Sequence, residues 1–186
     1  MIENTFCFTG YRPSKMPFPI DSNNPEYIKF ENKLIDSVFS VANEENITFY
    51  TGAAMGFDII AAEIVLLLKK AKGKEANIKL VCAVPFKNQA EKFPEEWKVR
   101  YKNVLENADE TVILSDTYYR GCYQRRNEYM VDRSNSVITW FDGQSGGTLN
   151  TLIYAKKTGK RIVNIRPEGV HEYLYSEEYI VSEEDE

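Results

Sequence analysis

A single histidine and three cysteines are the only imidazole and thiol groups in this sequence. Cys7, Cys82 and Cys122 stand far apart without CxxC spacing, so no zinc site and no disulfide framework is expected, and a reducing compartment suits them. His171 falls in a weakly patterned stretch near the C-terminus, and no Ser/His or Cys/His couple can be built around it. Long apolar runs are absent as well. The longest, Ile59 to Leu68, is broken by Glu63 and is far shorter than the ~20 residues that span a bilayer. Met1-Ile2-Glu3-Asn4 opens with no basic region ahead of an apolar one, so the expectation is a cytoplasmic protein with no leader and no membrane association. Cationic excess is missing too: 23 Lys and Arg against 28 Asp and Glu leave a net charge of -5, which disfavours broad binding to a nucleic-acid backbone. Neither a GxGxxG after the first strand nor a GxxxxGK[ST] occurs, which removes the dinucleotide fingerprint and the Walker loop.

What is present is an ordinary globular composition, 43% hydrophobic and 27% charged over 186 residues, enough for one domain with a full core. Apolar strand patterns alternate with helical ones. Thr5 to Thr9, Ile47 to Thr51, Ile78 to Val84, Thr111 to Leu114, Val137 to Phe141 and Arg161 to Ile165 read as strands. Glu26 to Asn43, Phe57 to Lys72, Gln89 to Glu106, Arg125 to Asn135 and Thr148 to Lys157 read as helices, the last closed by Gly159. Nearly continuous apolar strands separated by helices predict an α/β fold, a Rossmann-like three-layer α/β/α sandwich with a mainly parallel sheet of about six strands. The domain is read as residues 1–167 and is followed by an extension, 168–186, with an acidic end of disordered character. There is no internal repeat.

In such a sheet the segments after each strand share one rim, where ligands bind. Three of these segments are rich in glycine and small polar residues: Thr9-Gly10-Tyr11-Arg12, Thr51-Gly52-Ala53-Ala54-Met55-Gly56-Phe57-Asp58, and Asp142-Gly143-Gln144-Ser145-Gly146-Gly147-Thr148. Small residues let a ligand approach the backbone, and the helix that follows offers unpaired N–H groups and the positive end of its dipole. That chemistry suits phosphate, and Ser145-Gly146-Gly147-Thr148 is its strongest instance because it leads directly into a helix. Tyr118-Tyr119-Arg120-Gly121-Cys122-Tyr123-Gln124-Arg125-Arg126 interleaves rings with positive charge, as base stacking beside a phosphate requires, and is expected over the same rim. On its helix Arg126 is expected to share a face with Met130 and Arg133.

The three rim segments, together with Tyr-Met-Val-Asp-Arg-Ser-Asn at 129 to 135, resemble the YpsA branch of the SLOG superfamily, which includes the DNA-processing protein DprA and the Lonely Guy phosphoribohydrolases. The resemblance runs from Asn4 to Ile165. It implies a Rossmann-like domain that binds a nucleotide-type ligand, with Gly146 and Gly147 near the phosphate. The expected ligand contacts are Thr9, Gly10, Arg12, Gly52, Ala53, Gly56, Asp58, Arg126, Asp142, Ser145, Gly146, Gly147 and Thr148, with no cofactor and no metal. The hydrolases of the superfamily pair an arginine with a glutamate three residues after the threonine of a glycine motif. Arg126 matches the arginine, but Thr151 stands in the glutamate's place and Asn127 in that of a neighbouring lysine. Binding or sensing is therefore expected over catalysis. The alternative is a divergent N-glycosidic hydrolase using Arg126 with Asp58 or Asp142. Single-stranded nucleic acid is the third and disfavoured partner, and dimerisation is compatible with the resemblance.

Overall fold

Six stretches dominated by β-branched, aromatic and other apolar side chains pair into one sheet in the computed structural model, which describes residues 4–41 and 46–166. The strands are β1 (Asn4–Thr9), β2 (Ile47–Thr51), β3 (Ile78–Val84), β4 (Glu110–Ile113), β5 (Ser136–Thr139) and β6 (Arg161–Asn164). Every pairing is parallel, and the order across the sheet is β4-β3-β2-β1-β5-β6. Five helices join them: α1 (Pro25–Phe39), α2 (Phe57–Lys72), α3 (Glu95–Asn107), α4 (Cys122–Asp132) and α5 (Gly147–Lys157). This is the expected Rossmann-like α/β architecture. The boundary near 167 and the extension 168–186, with His171, lie outside the described residues, as does the expected end of the first helix at Asn43.

From β1 the chain steps outward through β2 and β3 to β4, then crosses back to β5 on the other side of β1 and ends at β6. Right-handed crossovers in opposite directions put their helices on opposite faces. Accordingly α1 packs on α2 and α2 on α3 along one face, while α4 packs on α5 along the other. The direction reverses between β1 and β5, and at such a switch point the loops diverge and leave a crevice beyond the strand ends.

The core lies on both faces of the central strands. Phe49, fully buried, stacks on Phe6 at 5.3 Å and on Phe8 at 5.6 Å, and Phe57 of α2 meets Phe8 edge-on at 6.3 Å. Burial falls off toward the edge, where β4 is largely exposed. Helix α2 buries nine residues, which explains its continuous apolar sequence, and Glu63, the charge inside that run, takes Arg100 of α3 in a bidentate pair at 2.9 and 2.5 Å. Helix boundaries differ from expectation in several places: α1 ends at Phe39 rather than Asn43, and α4 at Asp132 rather than Asn135. The helix expected from Gln89 begins only at Glu95, because Pro94 disfavours helical geometry before it and residues 87–93 form turns. The helix expected from Arg125 begins at Cys122, directly after Gly121. Strand ends otherwise shift by one or two residues, and Gly159 follows α5 at φ 72° as a C-terminal stop.

Truncating Phe49 to Ala should remove about 3–5 kcal/mol of stability, because it empties a fully enclosed aromatic site. Val99→Ala, at a position 62% exposed, should stay within about 0.5 kcal/mol. Urea unfolding of both variants checks the contrast.

Candidate functional site

Beyond the switch point a cleft of about 470 Å³ opens among the loops after β1, β2 and β5 and the first turns of α4 and α5. Nine of the thirteen expected contacts line it: Thr9, Gly10, Arg12, Asp58, Arg126, Ser145, Gly146, Gly147 and Thr148. Gly52, Ala53 and Gly56 lie behind its wall, and Asp142 lies outside it. Tyr11, Ser14, Lys15, Ala54, Tyr123 and Asn127 also line it and were not among the expected contacts.

The floor is built on Arg126. Although charged, it is only 5% exposed, since α4 turns it under the end of β2, where its Nη1 donates to the Gly52 carbonyl at 2.6 Å. Its Nε donates to Asn127 Oδ1 at 2.8 Å, Asn127 Nδ2 donates to Thr151 Oγ1 at 2.8 Å, and that hydroxyl donates to the Gly147 carbonyl at 2.7 Å. One chain of hydrogen bonds thus runs from β2 through α4 to the first turn of α5. Met130 is buried on the same helix face. Arg133 is not: α4 ends one residue earlier, and Arg133 lies exposed over the Tyr129 ring at 3.6 Å.

Gly52 is required by this contact. A Cβ there would stand 1.8 Å from Arg126 Nη1 and 2.7 Å from Asp58 Oδ2. The loops after β1 and β2 are equally close. Phe57 N–H donates to the Tyr11 carbonyl at 3.1 Å, and a Cβ on Gly10 would fall 2.3 Å from the Phe57 ring. Gly146, at φ 134°, aims the loop into α5, whose first N–H groups, those of Gly147, Thr148 and Leu149, have no intrahelical acceptor. Lys15, in a short 3-10 turn at Pro13–Lys15, holds this loop by donating to the Ser145 carbonyl at 3.0 Å.

Asp58 sits in the first turn of α2, 5% exposed, with Oδ2 3.9 Å from Arg126 Nη1. Burial pushes its carboxyl up to about 6, against the pull of Arg126, Arg12 and the backbone N–H groups of Ala54 and Gly52. Burial likewise draws the Arg126 guanidinium down, with Asp58 opposing. Arg12 lies over the Tyr123 ring at 5.2 Å, and Phe86 and Tyr118 meet that ring at 5.8 and 6.3 Å, so part of the aromatic segment borders the cleft while Tyr118 and Tyr119 stay exposed. Asp142 has a different task. It accepts the Tyr11 hydroxyl at 2.5 Å and the Gln144 amides at 3.3 and 3.0 Å, and although burial works against its charge, these bonds hold its carboxyl below the usual range. Tyr11 is pushed up to about 12 by burial and then by Asp142. This clasp fixes the β1 and β5 loops to each other at the margin of the cleft, with Tyr11 lining it and Asp142 beyond it. Gln89, which no motif singles out, is buried and donates to the Gly52 and Ala53 carbonyls at 3.1 and 2.9 Å, bracing the β2 loop from behind.

The arrangement defines a doubly wound α/β domain with a cationic cleft at its switch point, in which one carboxylate faces two arginines, a lysine and a helix amino terminus. A family model described as the YspA SLOG family matches residues 6–166, and the chain belongs to that YpsA family. It is 34% identical over 160 residues to the uncharacterized SPbeta prophage-derived protein YoqJ of Bacillus subtilis, covering 78% of this chain and 92% of that one. It is 27% identical to a UPF0398 protein of Brevibacillus brevis, covering 84% of this chain and 83% of that one. Among solved structures it is similar in fold to DNA processing protein A of Helicobacter pylori, described for its single-stranded DNA binding mode. That match has a TM-score of 0.60 at 17% identity and covers 90% of this chain and 67% of that one. The same protein from Streptococcus pneumoniae also gives 0.60, at 15% identity, covering 92% of this chain and 53% of that one. No described helix is long and apolar enough to cross a membrane.

The raised carboxyl of Asp58 has a signed consequence for stability. Between its ordinary value of 3.8 and about 6 the folded state keeps a proton that the unfolded state has lost, so stability should fall as pH rises through that window and level off above it. Asp58→Asn should flatten this slope. Urea midpoints measured from about pH 4 to about pH 7 in both proteins check it, and equal slopes would refute the assignment.

Proposed function

We propose that this protein binds a nucleotide or nucleotide-derived ligand in the cleft, with the ligand's phosphate against the first turn of α5, and that it acts by binding or sensing rather than by catalysis. The observation that carries this reading is Arg126. Its Nε and Nη1 have protein acceptors, whereas its Nη2 has none among the described residues, and the side chain lines the cleft. A buried cation with open donors is completed by an anion. The free N–H groups of Gly147 and Thr148, with Lys15 and Arg12 nearby, supply the rest of a phosphate site, and the Tyr123 ring gives a base a surface to stack on.

Sensing is favoured because the position that carries the glutamate in the related hydrolases is Thr151, whose hydroxyl already accepts from Asn127 and donates to Gly147. Of the two carboxylates considered for a hydrolase, Asp142 is taken up by Tyr11 and Gln144 outside the cleft, which leaves Asp58.

Ligand-observed NMR with AMP, ADP-ribose and NAD tests both parts. Saturation transfer to an unchanged nucleotide is expected. Accumulation of free base or ribose phosphate would replace the sensor with a hydrolase, and silence across the panel would send the search to nucleic acid or a protein partner. A second test uses Gly147, where an added Cβ meets no atom within 4 Å. Gly147→Leu should fold normally by circular dichroism yet weaken the bound nucleotide by about tenfold or more, equivalent to about 1.4 kcal/mol. An unchanged Kd removes the phosphate from α5.

A further inference from the structure

The cleft holds a feature that a simple phosphate cradle does not need: a buried carboxylate on its floor, among the cations. Asp58 is 5% exposed and lines the same cavity as Arg126, Arg12 and Lys15. The groups that face it come from every element around it. Arg126 comes from α4, Arg12 from the loop after β1, and the N–H groups of Gly52 and Ala54 from the loop after β2, while β1 contributes Cys7, a buried thiol pushed up to about 12 by burial. Arg126 is not fully committed to it. Nη1 reaches the Gly52 carbonyl at 2.6 Å and stands 3.9 Å from Asp58, so the guanidinium can serve a ligand without breaking a tight ion pair.

Resting on the anion-site reading above, we infer that an anion entering this cleft brings a proton onto Asp58, so that the site takes up an anion and a proton together and binds more tightly as pH falls. A second negative charge beside Arg126 competes with Asp58 for the same guanidinium and repels the carboxylate across a water-poor floor. Protonation removes that repulsion and turns one carboxylate oxygen into a hydroxyl donor able to face the anion. Because the carboxyl is already pushed up to about 6 by burial when the cleft is empty, the added charge carries the protonation into the neutral range. The ligand class that follows is an anion without an acidic proton of its own to share, such as a phosphate diester or a fully ionised phosphate. The protein then converts a modest change in pH into a change in occupancy.

Inorganic sulfate is the probe, because it stays a dianion throughout this range and adds no titration of its own. Its Kd is read from the amide shifts of Gly147 and Thr148 at constant ionic strength, from about pH 5.5 to about pH 8. Binding should weaken by about tenfold across the range in the wild-type protein, the linkage expected of one proton, and change by less than about twofold in Asp58→Asn. A second readout needs no variant: the 13C carboxyl shift of Asp58 should titrate about one pH unit higher with sulfate saturating than in chloride. Sulfate that binds with a pH-independent Kd and an unmoved Asp58 midpoint overturns the proton uptake and leaves the anion site standing. Gly147 and Thr148 amides that ignore sulfate at every pH overturn the anion site and the inference with it.

Discussion

A guanidinium held under the end of β2 is the constraint on which the rest of the rim depends. Taking Arg126 out of water carries a desolvation penalty of several kcal/mol, repaid only where acceptors and a counter-charge meet it in good geometry. Gly52 supplies a carbonyl at 2.6 Å, Asn127 an amide oxygen at 2.8 Å and Asp58 a carboxylate at 3.9 Å. Each fixes something else. Gly52 cannot carry a side chain, Asp58 must sit in the first turn of α2, and Asn127 must reach Thr151 on α5. Helices from opposite faces of the sheet are thereby tied to one point, and the first turn of α5 is set by the same hydrogen bonds that hold the arginine.

The topology explains why this point lies where it does. Helices α2 and α4 cover opposite faces of the sheet and approach each other only past its carboxyl edge, at the reversal between β1 and β5. Loops that diverge there would be mobile unless cross-linked, and two devices at the margin of the cleft do so. The Tyr11–Asp142–Gln144 clasp joins the β1 and β5 loops, and Gln89 braces the β2 loop. Donors that are already oriented lose little entropy when a ligand arrives, which is how a polar cleft of this size gains affinity.

Much of the fold was legible because its signals are local. Four of the six strand patterns stop at Gly10, Gly52, Pro85 and Asp142, and the glycine loops announce the rim. The misread boundaries have local causes too: at α3 the apolar periodicity continued through Pro94, whose effect on the preceding residues outweighed it. What was not legible is which polar residues face inward. Arg126 lies in Cys122–Asp132, a helix of low mean hydropathy whose charged residues resemble a solvated face, so neither the burial of Arg126 nor its link to Asn127 can be read from periodicity. Asp142 was read as a rim group from its place after β5. Its orientation is decided by Tyr11, a residue 131 positions away in sequence. Lys15 and Gln89 lacked a motif altogether, and their roles arise only when distant loops meet.

Thr151 stands where the resemblance to the hydrolases of the superfamily would place a glutamate, and the two side chains would hold the first turn of α5 in different ways. A carboxylate at this place would bring a negative charge beside the carbonyl of Gly147 and the amide of Asn127, and would hold the first turn of α5 by electrostatic attraction to its N–H groups. A hydroxyl does the holding differently, accepting from Asn127 and donating to the Gly147 carbonyl, with both functions spent on the protein. The first turn stays anchored, its N–H groups stay free for an anion, and no charge remains there to assist bond cleavage. Among the described residues the one acidic group lining the cleft is Asp58, whose carboxyl burial pushes up against the pull of Arg126, Arg12 and backbone amides. This is the physical basis for the proposal that the cleft binds its ligand without transforming it.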